Sequence, residues 1–125
     1  MYKNRADVVK NRLYVTFRGR IDIPEIKAGG LNVISEAKKL RSGFGIVSDI
    51  SEFIPASEEG RLEMQSIMKQ LKELGLGHVV RIVRQLNSIS GGQWQRTFSG
   101  AGYKADEVTS LIEAEALLNM LEKFD

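Results

Sequence analysis

The residues best equipped for chemistry lie between Phe44 and Leu74, where Asp49, Glu52, Glu58 and Glu59 gather four carboxylates into one short stretch. Carboxylate oxygens suit a hard cation such as magnesium or calcium. The spacing is not that of an EF-hand, however, and the interleaved Phe53, Ile54 and Pro55 are apolar, so no metal site is expected. Acidic residues in the first turn of a helix are favoured by its dipole, which accounts for Glu58 and Glu59 without any ligand. His78 is the sole histidine and there is no cysteine. An isolated imidazole with no partner pattern around it reads as structural. No arrangement of nucleophile, base and orienting group can be assembled, so no catalytic residue, no cofactor and no enzymatic activity are expected. Gly91 and Gly92 differ, because they follow an apolar run and open a helical pattern, where free backbone N–H groups can receive an anion. With Trp94, whose ring can line a pocket as well as a core, they are the ligand-binding candidates.

The elements that must position these groups are legible around them. Phe44 to Asp49 is apolar with a β-branched centre, the composition of a short strand buried on both faces. After a loop broken by Pro55, Ser57, Glu58 and Glu59 precede Met64, Ile67, Met68, Leu71 and Leu74, which share one helix face. A strand, a turn and a helix start therefore follow one another, and in open α/β sheets ligands and partners are met beyond the carboxyl ends of the strands.

Upstream, Ala6 to Val9 and Leu13 to Phe17 read as two strands joined through Lys10, Asn11 and Arg12. Asp22 with Glu25 forms a capping box with Pro24 in the first turn, opening a helix toward Leu40 whose Gly29 and Gly30 call for close packing against the sheet. Downstream, Gly75 and Gly77 end the second helix and His78 to Val83 form a strand. Ser90 and Gln93 read as a capping box for a third helix bearing Trp94, Phe98 and Ala101 on one side. Lys104 to Val108 supply a fifth strand, and Ser110 with Glu113 caps a last helix carrying Leu111, Ala114, Leu117, Leu118 and Leu121. The order is β-β-α-β-α-β-α-β-α. This predicts an α/β fold: a mixed, mainly parallel sheet of about five strands with about four helices, in a single domain over residues 1–125.

Charge adds a smaller clue. Lys3, Arg5, Lys10, Arg12, Arg18 and Arg20 stand against only Asp7 and Asp22 at the start of a chain whose formal net charge is +2. No aromatic interleaving or nucleic-acid motif accompanies them, so they read as the solvated outside of a hairpin and no nucleic-acid partner is expected. No apolar run is long enough for membrane insertion, and the absence of cysteine suits a cytoplasmic protein.

Around the central turn the sequence resembles the STAS superfamily, the sulphate transporter and anti-sigma factor antagonist domains, and within it the small bacterial proteins called anti-sigma factor antagonist-like. Asp49-Ile50-Ser51 corresponds to the Asp-Leu-Ser-type strand end of those domains, and Ser57-Glu58-Glu59-Gly60 to their Asp-Ser-Ser-Gly helix start. The resemblance implies a protein-interaction or regulatory module. In that family one of the two central serines is phosphorylated, whereas here both positions are glutamate, so negative charge is permanent and phosphorylation control is not expected. It implies a protein partner bound through Asp49, Ser51, Phe53, Ile54, Ser57, Glu58 and Glu59, with a homodimer as a further expectation. The competing reading is a carrier of a small apolar or anionic ligand between sheet and helices.

Overall fold

In the computed structural model, which describes residues 1–123, the element order matches that expectation. β1 spans Tyr2–Asp7, β2 Arg12–Gly19, α1 Ile23–Ala37, β3 Gly45–Phe53, α2 Glu58–Glu73, β4 Val79–Ile82, α3 Ile89–Gly100, β5 Asp106–Val108 and α4 Leu111–Glu122. The five strands form one sheet in the order β1-β2-β3-β4-β5, antiparallel between β1 and β2 and parallel thereafter.

Strand order that follows chain order has a geometric consequence. Each β-α-β crossover moves one strand in the same direction, and a right-handed crossover then places its helix on the same face every time. α1, α2 and α3 accordingly share one face, where Ile26, Val33, Met64, Leu71, Trp94 and Phe98 pack on Leu13, Val15, Phe17, Ile46 and Val79. The opposite face receives α4, whose Ala114 and Leu118 pack on Val47, Val80 and Ile82. Alternation along β2, β3 and β4 feeds the two cores in turn.

Four details depart from the sequence reading. The first strand runs over Tyr2–Asp7 rather than Ala6 to Val9, because Asn11 adopts a left-handed conformation (φ 56°) and leaves Val9 at the turn, 92% exposed. Arg12 is not part of a solvated outside: it is 2% exposed and clasped by α4. Gly29 packs against the sheet as anticipated, under the ring of Tyr2, but Gly30 packs against α2, under Ile67. On α4, Leu111 stays exposed although its spacing assigns it to the buried stripe.

The Arg12 clasp ties the beginning of the sheet to the last helix. Its guanidinium donates to Glu115 at 2.7 Å, to Asn119 at 2.6 Å and to Glu122 at 3.0 Å, while Lys10 and Tyr14 also reach Glu115. Burial opposes ionisation of Glu115, but the hydrogen bonds from Tyr14 and Lys10 and the charge of Arg12 outweigh it and hold the carboxyl below its ordinary range.

Candidate functional site

The carboxyl ends of β2, β3, β4 and β5 lie at one rim of the sheet, and all four helices start there. Each start has its own side-chain cap: Asp22 for α1, Ser57 for α2, Ser88 for α3 and Ser110 for α4. Three of these caps are those read from the sequence. The fourth is not, since Ser88 rather than Ser90 accepts the N–H of Gly91, at 3.0 Å.

Ser90 and Gln93 serve the neighbouring loop instead. Ser90 Oγ donates to the carbonyl of Phe53 at 2.9 Å. The Gln93 carboxamide, buried, accepts from the Ala56 N–H at 2.8 Å and donates to the Ala56 carbonyl at 2.6 Å. α3 thus pins both ends of the segment from Phe53 to Ala56. A Ser-x-x-Gln spacing satisfies a capping box and this tie equally well, and only the three-dimensional neighbour distinguishes them.

β3 delivers the other half of the site. Its register against β2 passes from Thr16↔Asp49 to Arg18↔Glu52, so Ile50 and Ser51 together oppose Phe17 in a β-bulge. The extra residue resets the alternation. Phe53 therefore joins Ile46 and Ile50 in the larger core, its ring 5.8 Å from that of Phe17 and 5.9 Å from that of Trp94. This strand continues past Asp49, where the apolar pattern of the sequence ends, because the bulge keeps an apolar residue inward. Asp49 accepts from the Ser51 N–H at 3.0 Å and its hydroxyl at 2.7 Å, which steadies the bulge.

Beyond Phe53 the chain turns outward. Ile54, Pro55, Ser57, Glu58 and Glu59 are exposed, with Ile54 at 44%. Ser57 Oγ accepts from the Gly60 N–H at 3.1 Å. Gly60 is buried where α2 meets α1, and a Cβ there would stand 3.1 Å from Ile26 Cδ1 and 3.3 Å from Ala56 Cβ, so the glycine allows this close approach. Glu58 forms a forked pair with Arg61, whose Nε and Nη2 reach its two oxygens at 2.7 to 3.1 Å. Those hydrogen bonds hold the Glu58 carboxyl below its ordinary range. Glu59, by contrast, has no hydrogen bond or ion pair among the described residues, and it presents its charge to solvent. An open cleft of about 670 Å³ adjoins the turn, bordered by Arg18, Ser51, Ile54, Arg84 and Ser90.

The four carboxylates of the central stretch do not converge. Asp49 turns to Ser51, Glu52 pairs with Arg18 at 3.1 Å, and Glu58 pairs with Arg61. Among the described residues no group of three metal-ligating side chains comes together. Gly91 and Gly92 lie in the first turn of α3, between Ser90 and Gln93. The Gly91 N–H donates to Ser88 Oγ at 3.0 Å and the Gly92 N–H to the Ser88 carbonyl at 2.9 Å, so both are engaged within the helix start. Trp94 is core, 2% exposed, packed between Phe17 and Phe98 with its ring tilted against both. The space it borders between sheet and helices amounts to about 20 Å³, the room of roughly one water. The carrier reading required a ligand-sized pocket in this layer, and the aromatic packing fills it.

Two buried arginines escaped the sequence reading. Besides Arg12, Arg81 on β4 is 1% exposed; it donates to Gln95 at 2.8 Å, pairs with Glu107 at 3.4 Å and lies over the ring of Phe98. The signal was the flanking pattern: an arginine inside Val79-Val80-Arg81-Ile82-Val83 faces a core whichever way the strand is laid.

No protein-family model matches this chain, and no curated protein does. Among solved structures, the fold is similar to that of the anti-sigma factor antagonist SpoIIAA in its unphosphorylated form, with a TM-score of 0.59, over 96% of this chain and 97% of that one, at 11% sequence identity. The fold is STAS-like, with the mainly parallel five-stranded sheet and four helices in the same order. Among the described residues no helix is long and apolar enough to cross a membrane.

Proposed function

We propose that this protein is a non-enzymatic interaction module that binds a protein partner, in the cytoplasm, through the β3–α2 turn. The observation that carries the reading is the pinned turn. Ile54 and Pro55 project to solvent from a segment whose backbone is fixed on both sides by Ser90 and Gln93. A preformed loop loses little conformational freedom on binding, and an exposed apolar residue rimmed by charge is the anatomy of an interface anchor. The similar fold of an anti-sigma factor antagonist supports the same class of role.

Charge at the turn defines the state in which the partner is met. Glu58 is engaged by Arg61, so Glu59 supplies the free negative charge at the start of α2. One negative charge thus stands permanently at the helix start, where a phosphorylated helix start would carry its own, and it needs no kinase to be placed there.

Capture from lysate of the source organism tests this, with the wild type compared against Glu58→Ser, Glu59→Ser and the double variant. The proposal expects a binder retained by wild type and lost or weakened with Glu59→Ser, with melting temperatures within a few degrees. Ile54→Asp should abolish the same capture. Recovery of identical proteins by all variants would leave the turn without a binding role.

A further inference from the structure

The second face of the sheet carries a surface that meets the cleft beside the β3–α2 turn only at Arg18. Among the described residues α4 alone covers that face, which leaves the β1–β2 hairpin bare beyond it. Lys3, Arg5, Thr16 and Arg18 point from that bare strip, Lys3 opposite Thr16 in the ladder, and the residues that alternate with them along the strands, Tyr2, Val15 and Phe17, point into the other core. Between the strip and the first turn of α4 runs a groove of about 410 Å³, closed at its far side by Ile82 and Leu111. Leu111 is 53% and the adjacent Ile112 83% exposed.

We propose that this groove binds an acidic segment of a partner protein that carries apolar side chains of leucine type. Three cations, Lys3, Arg5 and Arg18, face it against Asp49, whose Oδ1 is occupied by Ser51; Arg18 also pairs with the exposed Glu52. Arg5 lies over the Tyr14 ring at 4.5 Å, which holds its guanidinium along the strip. Cations on one wall and bare aliphatic carbon on the other match a chain that offers carboxylates on one side and leucine-type groups on the other. The groove, rather than the edge of β1, is the docking place, because the Ala6 N–H on that edge is taken by Glu36 of α1. A concave groove also suits an extended chain better than a flat lipid surface.

The probe is a short labelled peptide alternating glutamate and leucine, followed by fluorescence anisotropy at low and at physiological salt. Wild type should bind it, more weakly as salt rises. Lys3→Glu with Arg5→Glu, and separately Leu111→Ser, should each weaken binding about tenfold or more while the melting transition is retained. If the charge reversal unfolds the chain, Lys3→Gln with Arg5→Gln replaces it. Glu59→Ser should leave the peptide affinity unchanged, which separates this surface from the turn. No binding by wild type, equal binding by the variants, or equal binding of a peptide with serine in place of leucine overturns the proposal. So does tighter binding to phosphatidylserine-containing vesicles or to duplex DNA than to the peptide, or head-to-tail self-association that Lys3→Glu with Arg5→Glu abolishes.

Discussion

At the scale of single residues, the site is defined by who accepts hydrogen bonds from whom. Ser57 satisfies the Gly60 N–H at the start of α2, so Ser57→Ala should cost about 0.5 to 2 kcal/mol in urea denaturation. Gln93 holds more. Gln93→Leu leaves both the N–H and the carbonyl of Ala56 without their partner, and a buried unmet group costs about 1 to 3 kcal/mol. Hydrogen exchange at the Ala56 amide should quicken in Gln93→Leu and stay unchanged in Ser57→Ala; equal behaviour would mean that α3 does not pin the turn. The contrast also shows what sequence could tell. Ser57 was legible as a cap because its partner lies three residues away. Gln93 was not, because its partner lies thirty-seven residues away and is a backbone group that any residue supplies. Arg12 was hidden for the same reason, since the acids that meet it come from an element brought near only by folding, whereas the burial of Arg81 was written in its apolar neighbours and only its partners were not.

At the scale of elements, order and class were readable because each helix has an apolar stripe and β2, β3 and β4 each carry apolar residues in strand pattern, whereas boundaries were set by tertiary neighbours. β3 extends to Phe53 because a bulge turns that ring inward, a choice no local pattern contains. Gly29 illustrates how tightly α1 meets the hairpin. A Cβ there would lie 2.1 Å from Tyr2 Cδ2, so Gly29→Ala should destabilise by roughly 1 to 3 kcal/mol despite alanine's higher helix propensity. Adding Tyr2→Ala removes the ring, and on that background Gly29→Ala should become neutral or stabilising. A double-mutant cycle measures this coupling, and additive effects would contradict the contact. The docking of α4 has a pH signature of its own. Glu115 is held below its ordinary carboxylate range, so its contribution is complete above the unfolded value of about 4.3 and is lost as pH falls through the lower folded value. The stability difference between wild type and Glu115→Gln should thus be constant from neutral pH to about 5 and shrink below about 4. A difference that persisted unchanged to pH 3 would exclude the ionised form of Glu115 as its source.

At the scale of the whole molecule, the chain is expected to unfold in one cooperative transition, and a chelator should leave its melting temperature unchanged. A fall of many degrees would reveal a bound ion that the fold depends on. The strand order has a further consequence, for the time course of folding. Because each strand lies beside the one made before it, every β-α unit can settle onto a finished neighbour as it leaves the ribosome, without waiting for distant sequence. The Arg12 clasp is the exception, since it joins residues 103 to 110 positions apart and forms only when the last helix arrives. It acts as a latch closed at the end of synthesis. Arg12→Met should accordingly speed unfolding in stopped-flow experiments and leave the folding rate as it was, whereas an equal slowing of folding would place the latch in the nucleus. A chain released before Glu115 and Glu122 are made would carry a finished sheet with an unpaired arginine on its bare face, and that is the species a quality-control protease would meet first.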